Sequence, residues 1–274
     1  PQLTKERRES EWLQKCPSQI LQMSLRQLDN DSKGQLPKFC KKNNGHNIRF
    51  PQGVRVVFKH SNIKLPGIGN VKCIYDRRFI GSIKMVTVYK TCTQKWFVKI
   101  TTKSATGVSV KKHCEEGTIG ISHGFNTLYA ISNGQRISHP RHIQDTKKRL
   151  LRERRSLLRK KQGSVNYKQQ KCNILRIQER LNNQERDYIQ KISTKMIREY
   201  SSIVIEDVDC LLYKVLKYKC KWYGNNLIQI PKCSTCVNTC SSCGNVQKSE
   251  GVNWKCAECS SVHNRNMNNA MNVK

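Results

Sequence analysis

Thr118-Ile119-Gly120-Ile121-Ser122-His123-Gly124 and, eighty residues on, Ser202-Ile203-Val204-Ile205-Glu206 are two short β-branched runs whose surroundings decide the fold. Two further strand-like runs, 127–131 and 135–137, follow the first, and Asn133-Gly134 between them is a strong hairpin signal. Residues 141–199 then read as two long helices broken at Gly163-Ser164. After the second run, Trp222-Tyr223-Gly224 reads as a turn before a last short strand over 226–230. Three strands, long helices, a strand ending in an acid and another strand suit an RNase H-like α/β core with a helical insertion.

Working outward, residues 11–30 read as one helix carrying Leu13, Ile20, Leu21, Leu25 and Leu28, and residues 35–50 as a basic irregular segment. Four β-branched and aromatic runs at 54–58, 71–75, 83–89 and 96–100 predict a small antiparallel barrel or sheet. The expected divisions are therefore an N-terminal helical and basic part over 1–50, a β-barrel part over 51–115 and the α/β core over 116–232. A cysteine-rich ribbon over 233–262 and a return to the core over 263–274 complete them.

Fifty-one Lys and Arg against nineteen Asp and Glu give a formal charge of +32. Such self-repulsion opposes folding and calls for a polyanion, because each neutralised phosphate releases condensed counterions. An anionic membrane is the competing partner, but no apolar run is long enough to span a bilayer and no secretory pattern opens the chain. Nucleic acid is the expected partner and the cytoplasm, at the nucleoid, the expected location. The charge is densest at 147–161, where Lys147, Lys148, Arg149, Arg152, Arg154, Arg155, Arg159, Lys160 and Lys161 are the candidate phosphate contacts. Leu150, Leu151, Leu157 and Leu158 form the expected apolar stripe of that helix.

Fourteen cysteines without a secretory signal point to a reducing compartment. Cys240-x2-Cys243-x12-Cys256-x2-Cys259 has the spacing of two knuckles that place four thiolates around a structural zinc, which leaves the metal no open position. Cys233 and Cys236 add a third knuckle, and which pairs bind stays open at this level.

Two-metal phosphodiester chemistry needs several carboxylates converging from different strands. Here only Glu206 closes a core strand as an acid; Asp207 and Asp209 would project to the opposite face if the strand ran on.

These residues resemble TnpB, the transposon-encoded RNA-guided nucleases related to type V CRISPR effectors. Trp12-Leu13 through Leu28 is similar to the family's recognition helix, Leu36-Pro37-Lys38-Phe39 to its basic segment, and Ile63 through Gly69 to the entry of its wedge-type barrel. Gly163-Ser164, Arg186-Asp187-Tyr188, Tyr218-Lys219 and Trp222-Tyr223-Gly224 resemble further signatures. The family's first catalytic Asp lies in Gly-Ile-Asp-x-Gly, and Ser122 stands at its place; its Glu matches Glu206. Its last Asp lies in Arg-Asp-x-Asn-Ala-Ala, and Asn266 stands there. The stretch between Glu206 and Tyr218 is shorter than the family's, and the family's first strand and helix are not found before Trp12.

The resemblance implies a RuvC-type core, a structural zinc, a structured guide RNA and a double-stranded DNA target, with Ser122, Glu206 and Asn266 as vestiges of a catalytic set and no catalytic magnesium. Three outcomes are compatible with it: a nuclease-dead, RNA-guided repressor acting by occupancy, a decayed transposase-like product without function, and a nuclease with weak metal-dependent activity. A ribosomal or architectural RNA-binding protein with a zinc ribbon is the reading that needs no resemblance.

Overall fold

A computed structural model describes residues 2–31, 46–79, 81–103, 116–124, 128–206, 210–231, 238–248 and 251–274. The chain divides into two compact units, Pro1–Thr106 and Gly107–Lys274.

The first unit opens with helices α1 (Gln2–Glu9), α2 (Glu11–Gln14) and α3 (Ser18–Asp31). The single helix expected over 11–30 is thus interrupted. Pro17 has no N–H to donate and its ring disfavours helical geometry at Cys16, so the chain turns there before α3 begins. Six strands follow: β1 (His46–Phe50), β2 (Arg55–Val57), β3 (Asn62–Leu65), β4 (Gly69–Lys72), β5 (Ser82–Lys90) and β6 (Trp96–Lys103). They form two separate antiparallel three-stranded sheets, ordered β1-β5-β6 and β2-β3-β4, with no closed barrel among the described residues. β1 lies in a stretch that reads as irregular. Its partner β5 supplies what the local sequence does not, setting Ile48 opposite Val88 and Phe50 opposite Val86. Phe50, Ile63, Leu65 and Val86 are the buried centre of this unit.

The second unit holds the site. Its elements are β7 (Glu116–His123), β8 (Tyr129–Ile131), β9 (Arg136–Ile137), α4 (Arg141–Leu158), α5 (Val165–Glu199), β10 (Tyr200–Glu206), α6 (Leu211–Tyr223), β11 (Asn226–Ile230), β12 (Asn253–Lys255), β13 (Val262–Asn264) and α7 (Arg265–Val273). The five-stranded sheet runs β11-β10-β7-β8-β9. β10 is parallel to both β7 and β11, while β8 and β9 return antiparallel through the expected turn, where Gly134 adopts φ +97°.

Side-chain alternation gives this sheet two buried faces. Ile119, Ile121, Ile203 and Ile205 point to one face and pack with Ile189, Met196 and Ile197 of α5 and Leu212, Val215 and Leu216 of α6. Gly120, Ser122 and Glu206 lie on the other, beneath α7. α6 occupies a stretch read as a turn at 222–224; it begins on Cys210, whose sulfur accepts the Tyr213 N–H, and stops at Gly224 with φ +75°. Lys219 pins α6 to α5. Its buried ammonium donates to the Gln190 carbonyl, Ser193 Oγ and Thr194 Oγ1 at 2.7–2.8 Å.

Candidate functional site

The sheet's parallel register fixes the first part of the site. Ile205 pairs with Ile121, so one step further Glu206 and Ser122 end adjacent strands on the same face. Burial is deep there: Ser122 is 0% exposed and Glu206 6%. α7 closes over them because Gly120 has no side chain. A Cβ at Gly120 would stand 2.3 Å from the Ala270 carbonyl oxygen and 2.6 Å from the Lys274 nitrogen, well inside any tolerable contact.

This close approach lowers Asn269 into the site. Its Nδ2 donates to Ser122 Oγ and, at 3.1 Å, to Glu206 Oε1, while its buried Oδ1 has no hydrogen-bond partner among the described residues. Asn266 is buried in the first turn of α7, one turn before Asn269. The sequence reading singles out Asn266 and passes over Asn269. The i, i+3 spacing on a helix puts both on neighbouring positions of one face, and that was the available signal. Asp207 and Asp209 lie outside the described residues.

α7 faces the ribbon as well as the sheet. Asn268 Nδ2 donates to the Thr239 carbonyl at 2.6 Å and its Oδ1 accepts the Ser241 N–H at 2.8 Å; Asn272 donates to the Thr239 carbonyl at 2.8 Å. One short helix therefore ties the first cysteine knuckle to the strand ends.

In the ribbon, the sulfurs of Cys240, Cys243, Cys256 and Cys259 all lie within 4.8 Å of one another. The pairs Cys240–Cys259 and Cys243–Cys256 are each 3.6 Å apart. Four thiolates at about 2.3 Å from one zinc stand about 3.8 Å apart, so this donor set and spacing fit the ion. Each knuckle turns on a left-handed residue after its second cysteine, Gly244 at φ +78° and Ser260 at φ +57°. Gln247 braces the two together, donating to the Lys255 carbonyl and accepting the Ala257 N–H. The clustered thiols titrate together: the Ser261 hydroxyl and then its amide pull Cys259 down to about 6, while Cys243, held down by the Asn245 amide, is pushed up to about 12 by burial and the neighbouring cysteines, as expected of sulfurs crowded against one another. His263 lies with Nε2 3.0 Å from Cys240 Sγ and packs on the Trp254 ring. A thiolate there accepts an N–H, the kind of outer contact that orients a ligand sulfur. His123 instead caps the end of β7 against Tyr129. Cys233 and Cys236 lie outside the described residues.

The basic helix is more differentiated than its composition. Ile143, Thr146 and Leu150 face the core, and Lys148, Arg152, Arg155 and Arg159 recur along the opposite exposed face. Arg149 and Lys161 are exposed as well. Three of the nine candidate cations have internal partners: Lys147 bridges Glu185 at 2.8 Å and His139 Nε2 at 3.1 Å, Arg154 donates to Gln178 and Lys160 to Gln170. The expected leucine stripe is corrected too, since Leu151 is 52% and Leu158 85% exposed. Both fall about a quarter of a turn away from Leu150, off the face that packs on α5.

Comparison with known proteins follows the same two parts of this unit. Residues 98–211 match the IS605 OrfB family, described as "Probable transposase", and residues 211–273 match the TNB domain of Cas12f1-like proteins. The Escherichia coli K12 protein named "Putative RNA-guided DNA endonuclease InsQ" is 28% identical over 97% of this chain and 76% of its own length. A Streptomyces pristinaespiralis protein named "Putative RNA-guided DNA endonuclease" is 29% identical over 69% of this chain; the chain spans about half, 51%, of that relative. A solved complex of Cas12f1 with guide RNA and target DNA aligns at 17% identity and a TM-score of 0.48, covering 70% of this chain and 45% of that one. The chain thus carries a stretch similar to the IS605 OrfB family followed by one similar to the Cas12f1-like TNB domain.

Proposed function

We propose that this TnpB-like chain is an RNA-guided DNA-binding protein that does not cut, and that it represses by occupying its target at the nucleoid. The observation that carries the reading is the content of the strand-end site, where, among the described residues, a hydroxyl, an amide and a single carboxylate stand together under α7. Magnesium prefers anionic oxygen in near-ideal octahedral geometry, and two such ions need more carboxylate than Glu206 provides. Sequence specificity would come from base pairing between guide and target, with the protein holding backbones. Lys148, Arg152, Arg155 and Arg159 support that role, because they run about 16 Å along one exposed helix face. The wedge-type reading of the first unit and the RuvC-type reading of the sheet belong to this proposal, as does zinc held by Cys240, Cys243, Cys256 and Cys259. Zinc in that setting supplies cross-linking of the ribbon, without chemistry on a substrate.

Two assays test it on the full chain. Copurified RNA is sequenced, and the loaded complex is given matched duplex DNA with magnesium. A discrete structured RNA, retention of the matched duplex and no cleavage above a metal-free control are expected. A preparation free of any specific RNA would overturn the guided reading. Cleavage of the matched duplex would overturn the non-cutting one and bring Asp207 or Asp209 in as ligands.

A further inference from the structure

Glu206 is a buried carboxylate that the proposed function leaves without work. A carboxylate taken out of water needs a compensating charge or hydrogen bonds, and in a metal site the cation supplies it. Among the described residues no ion pair compensates Glu206; the contact it has is the Asn269 amide, shared with Ser122. An amide NH2 carries two hydrogens at its positive edge, and both are spent here, one on each strand end. The family pattern quoted above carries alanine where Asn269 stands, so this amide is a departure additional to Ser122 and Asn266.

We infer that Asn269 is an amide latch standing in the cation's place, and that it has turned Glu206 from a metal ligand into the hydrogen-bond acceptor that clamps α7 onto β7 and β10. The latch gives the acid a role where no partner acid stands beside it among the described residues. It also explains the orphaned Asn269 Oδ1: the amide can aim one end only, and aiming NH2 at Glu206 leaves the oxygen unmatched. Turning the amide over would set oxygen against carboxylate. The inference deepens the non-cutting reading and rests on it.

Thermal unfolding of the full chain, with and without millimolar manganese, tests the latch. Glu206→Gln keeps an oxygen acceptor and discards the charge, so its Tm should match the parent within about a degree. Glu206→Ala and Asn269→Ala should each fall by about 4–8 °C, as expected for losing a buried bond to a charged group, and the double variant should fall no further than the worse single. Asn269→Asp places a second carboxylate against the first; its Tm should drop in metal-free buffer and recover several degrees more than the parent does when manganese is added. Glu206→Gln falling as far as Glu206→Ala would overturn the latch, since the charge itself would then be needed. So would an Asn269→Asp variant that gains nothing from manganese beyond the parent's own change. The two failures are separable: either of these results in a chain that leaves matched DNA uncut sinks the latch alone, whereas a parent that cuts sinks the non-cutting reading.

Discussion

The ribbon and the strand-end site are joined by one helix, yet their polar groups stand in opposite condition. Cys240, Cys243, Cys256 and Cys259 present four equivalent soft donors at metal spacing. Ser122, Glu206 and Asn269, on the other side of α7, are unlike groups held by one amide, which donates to the other two and leaves its own Oδ1 without a partner among the described residues. The difference follows from what each cluster contributes to folding. Among the described residues the ribbon has only Trp254 and two cysteines as its buried centre, so a metal held by the four sulfurs would supply most of its stability. The sheet has a large apolar core on its other face, so its fold does not depend on what fills the strand-end site.

That contrast is breakable at several points. The largest effect should come from metal removal: stripping zinc with a tight chelator, or replacing Cys256 by Ser, should unfold the ribbon. Binding energies for structural zinc of about 10–16 kcal/mol put this beyond any other single change in the unit, and loss of the tryptophan fluorescence shift of Trp254 would report it. Next comes Gly120→Ala, which forces a methyl into backbone; a loss of about 3 kcal/mol or more in denaturant unfolding is expected, with cysteine spacing intact as judged by zinc content. If zinc leaves as well, α7 carries more of the ribbon than Asn268 and Asn272 account for.

Smaller effects address nucleic acid. Changing Lys148, Arg152, Arg155 and Arg159 together to Ala should flatten the salt dependence of DNA or RNA binding by up to about 0.9 log unit per lost contact, whereas changing Lys147 should leave the slope nearly alone because Glu185 already holds it. Equal slopes for the two sets would remove this face from the interface.

The smallest concerns pH. Burial first, then the neighbouring Lys147 ammonium, hold the His139 ring below its ordinary 6.5, against the opposing pull of Glu185. The unfolded chain therefore takes up a proton before the folded one does. The contribution of this contact is present above 6.5 and is lost as the pH falls through the folded value. A shallow acid-side decline in Tm that His139→Ala makes flatter would confirm the sign.

Much of the second unit was legible. Asn133-Gly134 makes its turn, Gly163 breaks the helices at φ +83°, and Ser164 caps α5 by accepting the Tyr167 N–H at 3.2 Å. α6 was legible in principle, since Leu212, Val215, Leu216, Lys219 and Cys220 keep helical spacing; attention to the Trp222-Tyr223-Gly224 end hid it. β1 was not legible, because its strand character comes from pairing with β5. At the site, Glu206 could be located from the end of its strand, whereas Ser122 was singled out by the family resemblance. Asn269 could not be assigned a partner, because its reach depends on how closely α7 crosses Gly120.

That crossing has a consequence for how such a chain is found at all. Two backbones in near contact demand an absent side chain on one of them whatever reaction takes place, or does not, a few ångströms away. Shape alone is enough to require glycine at position 120, whatever side chains stand at the strand ends beside it. A chain of this fold can therefore be recognised by that glycine independently of what fills its site.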